Sequence, residues 1–303
     1  MSDMREHAEQ YLEARRALGH KLRDHGRLLL SFVGHLEAAG AERITVDLAI
    51  EWAMLPQDVQ PTWWSQRLSV VRCFAKHLVA VDPRTEIPPT DVLQARPQRT
   101  APHLYSAEEI VSLMAEAAKI RFPLKACTYE ALIGLLAASG LRVGEAIRLE
   151  RADIDLAQGL ITIRESKFRK SRLTPLHPTT VKALRCYSRR RDELMPHPRT
   201  DKFFLSLVGS GLHHSDVNAV FRGLVRRVGL ERPGQRRPRP HDLRHTFALQ
   251  ALLGWYRAGE DVGPRLPALS TYLGHVKPSS TYWYLQSAPE LLALAAERLE
   301  VKP

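Results

Sequence analysis

The chain has 303 residues, of which 44% are hydrophobic and 25% are charged, and it carries a formal net charge of +11. This composition excludes disordered and fibrous proteins, and the length suggests two domains with ordinary hydrophobic cores. The positive charge indicates a polyanionic partner. Nucleic acid is the favoured partner, and an anionic membrane surface is the alternative.

Residues 1–82 are predicted to form a helical domain. Trp63 and Trp64 are expected to pack rather than to stack on bases, because buried aromatic side chains are the commoner case. The N-terminus lacks an apolar segment and no run approaches roughly 18 apolar residues, so we expect neither a signal peptide nor a membrane span. Two apolar stripes have helical spacing: Leu28, Leu29, Phe32, Val33 and Leu36, then Leu68, Val71, Phe74 and Leu78.

Residues 83–103 are predicted to form an extended linker, because they contain five prolines and few apolar residues. The second domain, residues 104–303, opens on a capping box that runs from Ser106 to Glu109. In such a box a hydroxyl and a carboxylate satisfy the first free amides of a helix.

The second domain is predicted to be mainly helical with one small β-hairpin, which makes the expected fold class α+β, mainly α. Gly140 ends the first long helix, and the basic turn 166–171 joins two short strands. The predicted elements are helices over 124–139, roughly 143–150 and from about 178 onward, and strands over 160–163 and 172–176.

Charge is unevenly distributed along the chain. Residues 1–100 hold 13 basic and 13 acidic residues, whereas residues 101–303 hold 31 basic and 20 acidic residues. A phosphate-handling site is therefore expected in the second domain. The three cysteines form no CxxC pair, which is typical of a reducing cytoplasm.

Two basic residues of the second domain are candidate anion ligands. Arg142 stands between a glycine turn and a helix start, where its charge and the free backbone amides both favour an anion. Lys167 lies on the basic hairpin turn, although such turns also serve as solvated strand edges. Neither residue indicates a function alone.

The segment 241–245, HDLRH, allows two interpretations. His241 and His245 have the spacing of the HExxH zinc motif, but Asp242 is too short to replace its glutamate base, and Arg244 would place a positive charge beside the metal. We favour the alternative in which His241 and Arg244, at i and i+3, face one anion. His245 is then a structural histidine, and no metal site is expected.

Taken together, two arginines, a lysine, two histidines and a tyrosine form the set that cleaves a phosphodiester without a metal. The tyrosine phenol attacks phosphorus and forms a phosphotyrosine. Guanidinium groups bind the non-bridging oxygens, where negative charge grows in the transition state. Histidine donates to these oxygens or relays the phenol proton, and lysine protonates the leaving 5′ oxygen.

The order of these groups resembles the tyrosine recombinase (phage integrase) family over about residues 104–300. Ser139 stands at a position where the family usually has threonine. The segment before residue 83 is similar, in its helical character and position, to the family's core-binding (SAM-like) domain. The matching boxes are ASGLRVGE at 138–145, SKFRKSRLTPL at 166–176, HDLRH at 241–245 and LGH at 273–275, followed by Tyr284.

The resemblance implies a role for each matching residue. Glu145 is expected to support the site by bracing an arginine or histidine. Lys170 competes for the place of the catalytic lysine, and Tyr272 and Tyr282 compete for that of the nucleophile. The expected catalytic set is Arg142, Lys167, His241, Arg244, His275 and, as the nucleophile, Tyr284.

The resemblance also implies how the protein works. Two domains would clamp double-stranded DNA like a C, and four copies would exchange strands between two recombination sites, with a partner recombinase as an option. No cofactor, metal or ATP is expected, and the expected location is the cytoplasm, at the bacterial nucleoid. A terminal apolar helix, 288–299, would pack either on a neighbouring protomer or on its own domain.

Seven arginines lead into the HDLRH segment with one acidic residue, Glu231, among them. Contacts with DNA phosphates are favoured for them, and a solvated face is the alternative. They are Arg222, Arg226, Arg227, Arg232, Arg236, Arg237 and Arg239.

The favoured function is a recombinase that integrates or transposes a mobile element. Xer-like resolution of chromosome or plasmid dimers is the first alternative. A non-catalytic DNA-binding protein on the same scaffold and a relaxing type IB topoisomerase are the others.

Overall fold

The computed structural model describes residues 3–93, 101–164 and 171–274. The chain divides into two compact units, one within Met1–Arg99 and one within Thr100–Pro303. Within the described ranges it is mainly helical with one three-stranded antiparallel sheet, which confirms the predicted fold class. No helix in these ranges is both long and apolar enough to cross a membrane.

The first unit is built around a core of large apolar side chains that includes Phe32, Trp52 and Phe74. Arg67 is buried against this core, with its guanidinium 3.8 Å from the Trp52 ring centroid. Trp64 is half-buried and donates to the Pro56 carbonyl, whereas Trp63 is exposed, and the packing predicted for the two stays a prediction. The helices are α1 (Asp3–Ala17), α2 (Arg23–Ala38), α3 (Val46–Met54) and α4 (Pro61–Leu78).

The second unit surrounds α6 (Pro123–Ser139), which packs against α5 (Ala107–Ala118), α8 (Pro178–Leu194) and α10 (Pro240–Arg257). Because this helix is apolar on several sides, it is stable only when neighbours cover it. The short helix predicted over roughly 143–150 is limited to Val143–Ala146. The helices are α5 (Ala107–Ala118), α6 (Pro123–Ser139), α7 (Val143–Ala146), α8 (Pro178–Leu194), α9 (His214–Arg227), α10 (Pro240–Arg257) and α11 (Arg265–Leu273).

The sheet of the second unit has the order β1–β2–β3, with strands Ile154–Asp155, Leu160–Ile163 and Arg172–Pro175. The hairpin strands agree with prediction, and the two-residue β1 was not predicted. Ile163 pairs directly with Arg172. Paired residues share one face of a sheet, and Ile163 is buried, so Arg172 starts its strand on the inward face.

The middle of α10 packs against α11 through an apolar cluster. Ala248, Leu249 and Leu252 of α10 pack with Leu269 and Leu273 of α11. This packing brings the carbonyl groups at the end of α11 towards the segment that follows α6.

Candidate active site

Gly140 sets the position of Arg142. It ends α6 in the left-handed conformation, with φ of 60°, and a Cβ at this position would lie 2.5 Å from the Phe247 ring. Both constraints favour glycine. The chain then reverses, and Arg142 becomes the residue that precedes α7.

Glu145 lies on α7 and binds two arginines. Its Oε1 is 2.8 Å from Nη1 of Arg142, and its Oε1 and Oε2 accept from Nη1 and Nη2 of Arg172 at 3.2 and 2.9 Å. Burial opposes ionisation of this carboxyl, but the hydrogen bonds and charges of Arg172 and Arg142 outweigh it and lower the Glu145 pKa to about 2. The carboxylate is therefore ionised at neutral pH.

The same two arginines bind the end of α11. Nη2 of Arg142 donates to the Gly274 carbonyl at 3.1 Å, and Nε of Arg172 donates to the Tyr272 carbonyl at 2.9 Å. Gly274 has a φ of 68°, which favours glycine, and a Cβ at this position would lie 2.8 Å from Nη1 of Arg172. Residues from α7, β3 and the α11 terminus thus form one network.

Arg244 of α10 is almost completely buried, with 1% of its surface exposed. Its Nη1 donates to the Gly140 carbonyl at 2.7 Å, and its Nη2 donates to the Leu273 carbonyl at 2.6 Å. The guanidinium therefore ties the end of α6 to the end of α11, and its positive charge lies beneath the site.

His241 lies in the first turn of α10. Reduced hydration of the ring, together with the positive charges of Arg244, Arg239 and Arg142, lowers its pKa to about 4. The imidazole is therefore neutral at neutral pH, with one donor and one acceptor nitrogen.

An open cleft of about 470 Å³ lies between α7, α9 and the start of α10. Of the residues that the structure describes, three arginines, two histidines and one carboxylate face it, so it favours an anion. Within it, Asn218 and His214 are 2.9 Å apart through Nδ2 and Nδ1. The polar and charged lining residues are Arg142, Glu145, Arg148, His214, Asn218, Arg239 and His241.

The structure brings part of the predicted catalytic set together. Arg142 and His241 line the cleft, and Glu145 contacts Arg142 there. Arg244 is not among the lining residues, because its terminal nitrogens are turned to backbone carbonyls. The remaining candidates Lys167, Lys170, His275, Tyr282 and Tyr284, and the terminal segment 288–299, lie outside the described residues.

The arginines predicted to contact phosphate are mostly placed elsewhere. All are exposed, and Arg239 alone of them lines the cleft. Arg227 pairs with Glu116 at 2.7 Å, and Arg237 pairs with Glu231 at 2.6 Å. Longer contacts join Arg226 to Glu231 at 3.8 Å and Arg239 to Asp242 at 3.6 Å.

Sequence reasoning missed four residues of this region: Arg172, Arg148, His214 and Asn218. Arg172 belongs to the family-like segment 166–176, and its position there was the only indication in the sequence that it has a role in the site. Arg148, His214 and Asn218 carry no local signal, because their side chains meet the others only after α7 and α9 have packed.

The zinc interpretation of HDLRH gains no support from the described part of the chain. The His241 and His245 rings meet edge to face, with centroids 4.8 Å apart and an interplanar angle of 87°. Among the residues described, no group of three histidine, cysteine, aspartate or glutamate side chains is arranged to hold a metal ion.

Comparison with known proteins identifies relatives over nearly the whole chain. The sequence profile of the "Phage integrase family" matches residues 104–290. The "Putative integrase/recombinase y4rB" of Sinorhizobium fredii is 44% identical, with 99% of this chain and 98% of that protein aligned. The "Tyrosine recombinase XerC" of Pelotomaculum thermopropionicum is 28% identical, over 89% of this chain and 78% of its own length.

Solved structures share the fold. The integrase of the Tn1549 transposon, in complex with transposon right end DNA, aligns over 99% of this chain and 100% of its own, with a TM-score of 0.68 and 16% identity. The XerH site-specific recombinase, bound to its palindromic difH substrate, aligns over 91% and 79%, with a TM-score of 0.65 and 20% identity.

Proposed function

This chain belongs to the phage integrase family and is a tyrosine recombinase, and from that premise we propose that it exchanges DNA strands through a 3′-phosphotyrosine on Tyr284. One observation carries the proposal for this chain. Arg142 and His241 line a single anion-favouring cleft, and Glu145 holds Arg142 in place. This arrangement suits a phosphodiester whose charge grows during reaction.

Each proposed residue has one task in the cleavage step. Arg142 stabilises the non-bridging oxygens of the scissile phosphate. Arg244, whose terminal nitrogens bind backbone carbonyls in this structure, is assigned to the same oxygens from the HDLRH motif. Neutral His241 donates a hydrogen bond to one of these oxygens without adding a charge. Lys167 protonates the leaving oxygen, with Lys170 as the competing assignment, and His275 assists at the phosphate; these assignments rest on the sequence motifs.

The proposed cleavage step requires neither a metal nor ATP. The Tyr284 phenol oxygen forms a bond to phosphorus as its proton passes to a neighbouring base, and the bond from phosphorus to the 5′ oxygen breaks. That oxygen takes a proton from the lysine. Because the phosphotyrosine retains the energy of the broken ester, another 5′ hydroxyl can attack the phosphorus. The bond from phosphorus to the Tyr284 oxygen then breaks, the 5′ hydroxyl gives up its proton, the phenol regains one, and the DNA is resealed.

Covalent capture tests the nucleophile. A duplex with a nick beside the cleavage point loses a short fragment after cleavage, so the covalent protein–DNA product accumulates. Tyr284→Phe should bind this DNA normally and form no product, whereas Tyr282→Phe should form it. A product that persists in Tyr284→Phe and disappears in Tyr282→Phe would move the nucleophile to residue 282.

The same assay separates a recombinase from the two other proposed activities. A non-catalytic binder of DNA forms no covalent product. A relaxing topoisomerase forms one but removes supercoils from any plasmid, whereas a site-specific recombinase exchanges only matched sites.

For the biological role we propose integration or transposition of a mobile element. The support is the 44% identity to a protein named as an integrase/recombinase and the fold shared with a transposon integrase. Xer-like resolution is the second candidate, because relatives named XerC are 28% identical. Terminal repeats that flank the gene, joined by the purified protein into a circle, would support the first role. Exchange confined to a chromosomal palindrome would support the second.

We also propose a role for each segment of the chain. Residues 1–82 form a core-binding DNA domain, 83–103 link it to the next, and 104–303 form the catalytic domain. Four copies would act together on two double-stranded sites, in the cytoplasm at the nucleoid. Cross-linking on DNA that carries the site tests the number of copies.

A further inference from the structure

Tyr105 lies just before α5, outside the cleft, yet both its backbone and its side chain contact α10. Its amide donates to Oγ1 of Thr246 at 3.0 Å, and its phenol donates to the Arg239 carbonyl at 3.1 Å. Tyr105 is 2% exposed. One residue therefore holds α10 at two points.

These two points lie on either side of His241 and Arg244. Arg239 is the residue that precedes α10, and Thr246 comes seven residues later, which is about 10 Å along a helix. A rotation or shift of this part of α10 would lengthen at least one of the two hydrogen bonds. The Tyr105 contacts thus restrain the part of α10 that carries His241.

Tyr105 is itself held from its other side. The His103 ring meets it edge to face, with centroids 4.5 Å apart, and the Phe221 ring does so at 6.3 Å. His103 is in turn 3.0 Å from Glu109 through Nε2 and Oε2, and Glu109 belongs to the capping box of α5. The tyrosine is therefore a rigid support rather than a mobile surface residue.

The Arg239 carbonyl does not depend on the phenol. It also accepts the amide of Asp242 at 3.0 Å, as part of the first turn of α10. Loss of the phenol hydroxyl therefore leaves no unsatisfied acceptor at the helix start. The phenol makes an additional bond, whose effect is to restrain the direction of the helix.

We propose that Tyr105 is a positioning residue for DNA cleavage, which fixes the first turns of α10 so that His241 is correctly oriented towards the phosphate. The inference rests on the proposed function, because it acts through His241, which is assigned there. Displacement of catalytic groups by a fraction of an ångström to one ångström lowers rates by up to about 100-fold, so small helix movements are sufficient.

The test compares two tyrosine variants in the nicked-duplex assay at saturating DNA. Tyr105→Phe should lower the rate of covalent product formation by about 10- to 100-fold, with unchanged Kd for DNA. Tyr187→Phe is the matched control, because Tyr187 of α8 is also buried and its phenol also donates to a backbone carbonyl, that of Phe203. It should keep the wild-type rate.

A second pair of variants examines the other attachment point. Thr246→Val keeps the size of the side chain but removes the acceptor of the Tyr105 amide, so it should form the covalent product slowly. Thr246→Ser keeps the hydroxyl and should form the product at the wild-type rate. Thermal unfolding of each variant shows that the protein assayed is folded.

The positioning role also requires coupling to His241. In a His241→Ala background, Tyr105→Phe should have little further effect, because the group that it orients is gone. An unchanged rate in Tyr105→Phe, or an equal loss in both backgrounds, would overturn the inference. Absence of product from the wild-type protein and the Tyr187→Phe control would instead refute the proposed function, and this inference with it.

Discussion

Glu145 and Arg172 form a bidentate ion pair in which each carboxylate oxygen of Glu145 accepts from one terminal nitrogen of Arg172, at 3.2 and 2.9 Å. Both side chains are largely buried, with 3% and 11% exposed. Since Glu145 also binds Arg142, Arg172 sets the direction of the carboxylate that holds a proposed catalytic arginine.

Arg172→Met should both destabilise the protein and slow DNA cleavage. Loss of one partner leaves the Glu145 carboxylate half-paired in a buried site, at a cost of about 3 kcal/mol or more in the free energy of unfolding. Urea unfolding and covalent product formation measure the two effects.

Arg151→Met is the control for Arg172→Met, because the Arg151 pair with Asp192 is exposed and such pairs contribute about 0–1 kcal/mol. Wild-type cleavage by a folded Arg172→Met protein would contradict a positioning role for Arg172.

Glu145→Gln should reveal a pH-dependent contribution to stability. The folded-state pKa is lowered to about 2, so the ionised carboxylate stabilises the fold above the ordinary value near 4.5, and this stabilisation is lost as the pH falls towards 2. We expect the variant to be less stable than wild type by on the order of 3 kcal/mol at pH 7, and by less than half of that at pH 3.

Urea unfolding at the two pH values measures the difference between wild type and Glu145→Gln. Glu150→Gln, at an exposed carboxylate paired with Lys202, is the control and should change stability by under about 1 kcal/mol at both. A difference for Glu145→Gln that does not vary with pH would show that its carboxylate is not specially stabilised.

His241 should titrate near pH 4 in the free protein, because reduced hydration and the charges of Arg244, Arg239 and Arg142 disfavour the imidazolium. A phosphate in the cleft would oppose these positive charges and raise the pKa. NMR titration of the His241 ring, assigned with His241→Gln, measures the value with and without a duplex carrying the site. An ordinary pKa near 6.5 in the free protein, unchanged by DNA, would contradict the arrangement of charges around this residue.

Arg222→Gln should weaken DNA binding more than Arg227→Gln. Arg222 is exposed, and no carboxylate of the described residues pairs with it, whereas Arg227 is already neutralised by Glu116. A phosphate contact contributes about 0.9 to the slope of log K against log salt, so Arg222→Gln should reduce the slope by about that amount. Binding measured across a salt series gives the slopes, and equal slopes in the two variants would argue that neither arginine contacts a phosphate.

Cleavage should persist in excess EDTA, because Arg142 and Arg244 provide the positive charge that a metal would otherwise bring to the phosphate oxygens. Covalent product formation with and without the chelator measures this. Activity lost in EDTA and restored by zinc would return the histidine pair of HDLRH to consideration as metal ligands.

Features that depend on neighbouring residues could be predicted without a structure. The capping box at Ser106, the end of α6 at Gly140 and the hairpin strands follow from local hydrogen bonding and from apolar periods, which act over a few residues. Family membership, too, was evident from the order of short boxes along the chain.

Contacts between side chains that are distant in the sequence could not be predicted in this way. Arg172 reaches Glu145 across 27 positions, and Tyr105 reaches Arg239 and Thr246 across 134 and 141. No local pattern encodes such contacts, because they arise when separate helices and strands bury their apolar faces together. The same packing places Arg142 and His241 in one cleft and turns Arg244 to backbone carbonyls. It also pairs Arg227 with Glu116, whereas Arg222 is exposed.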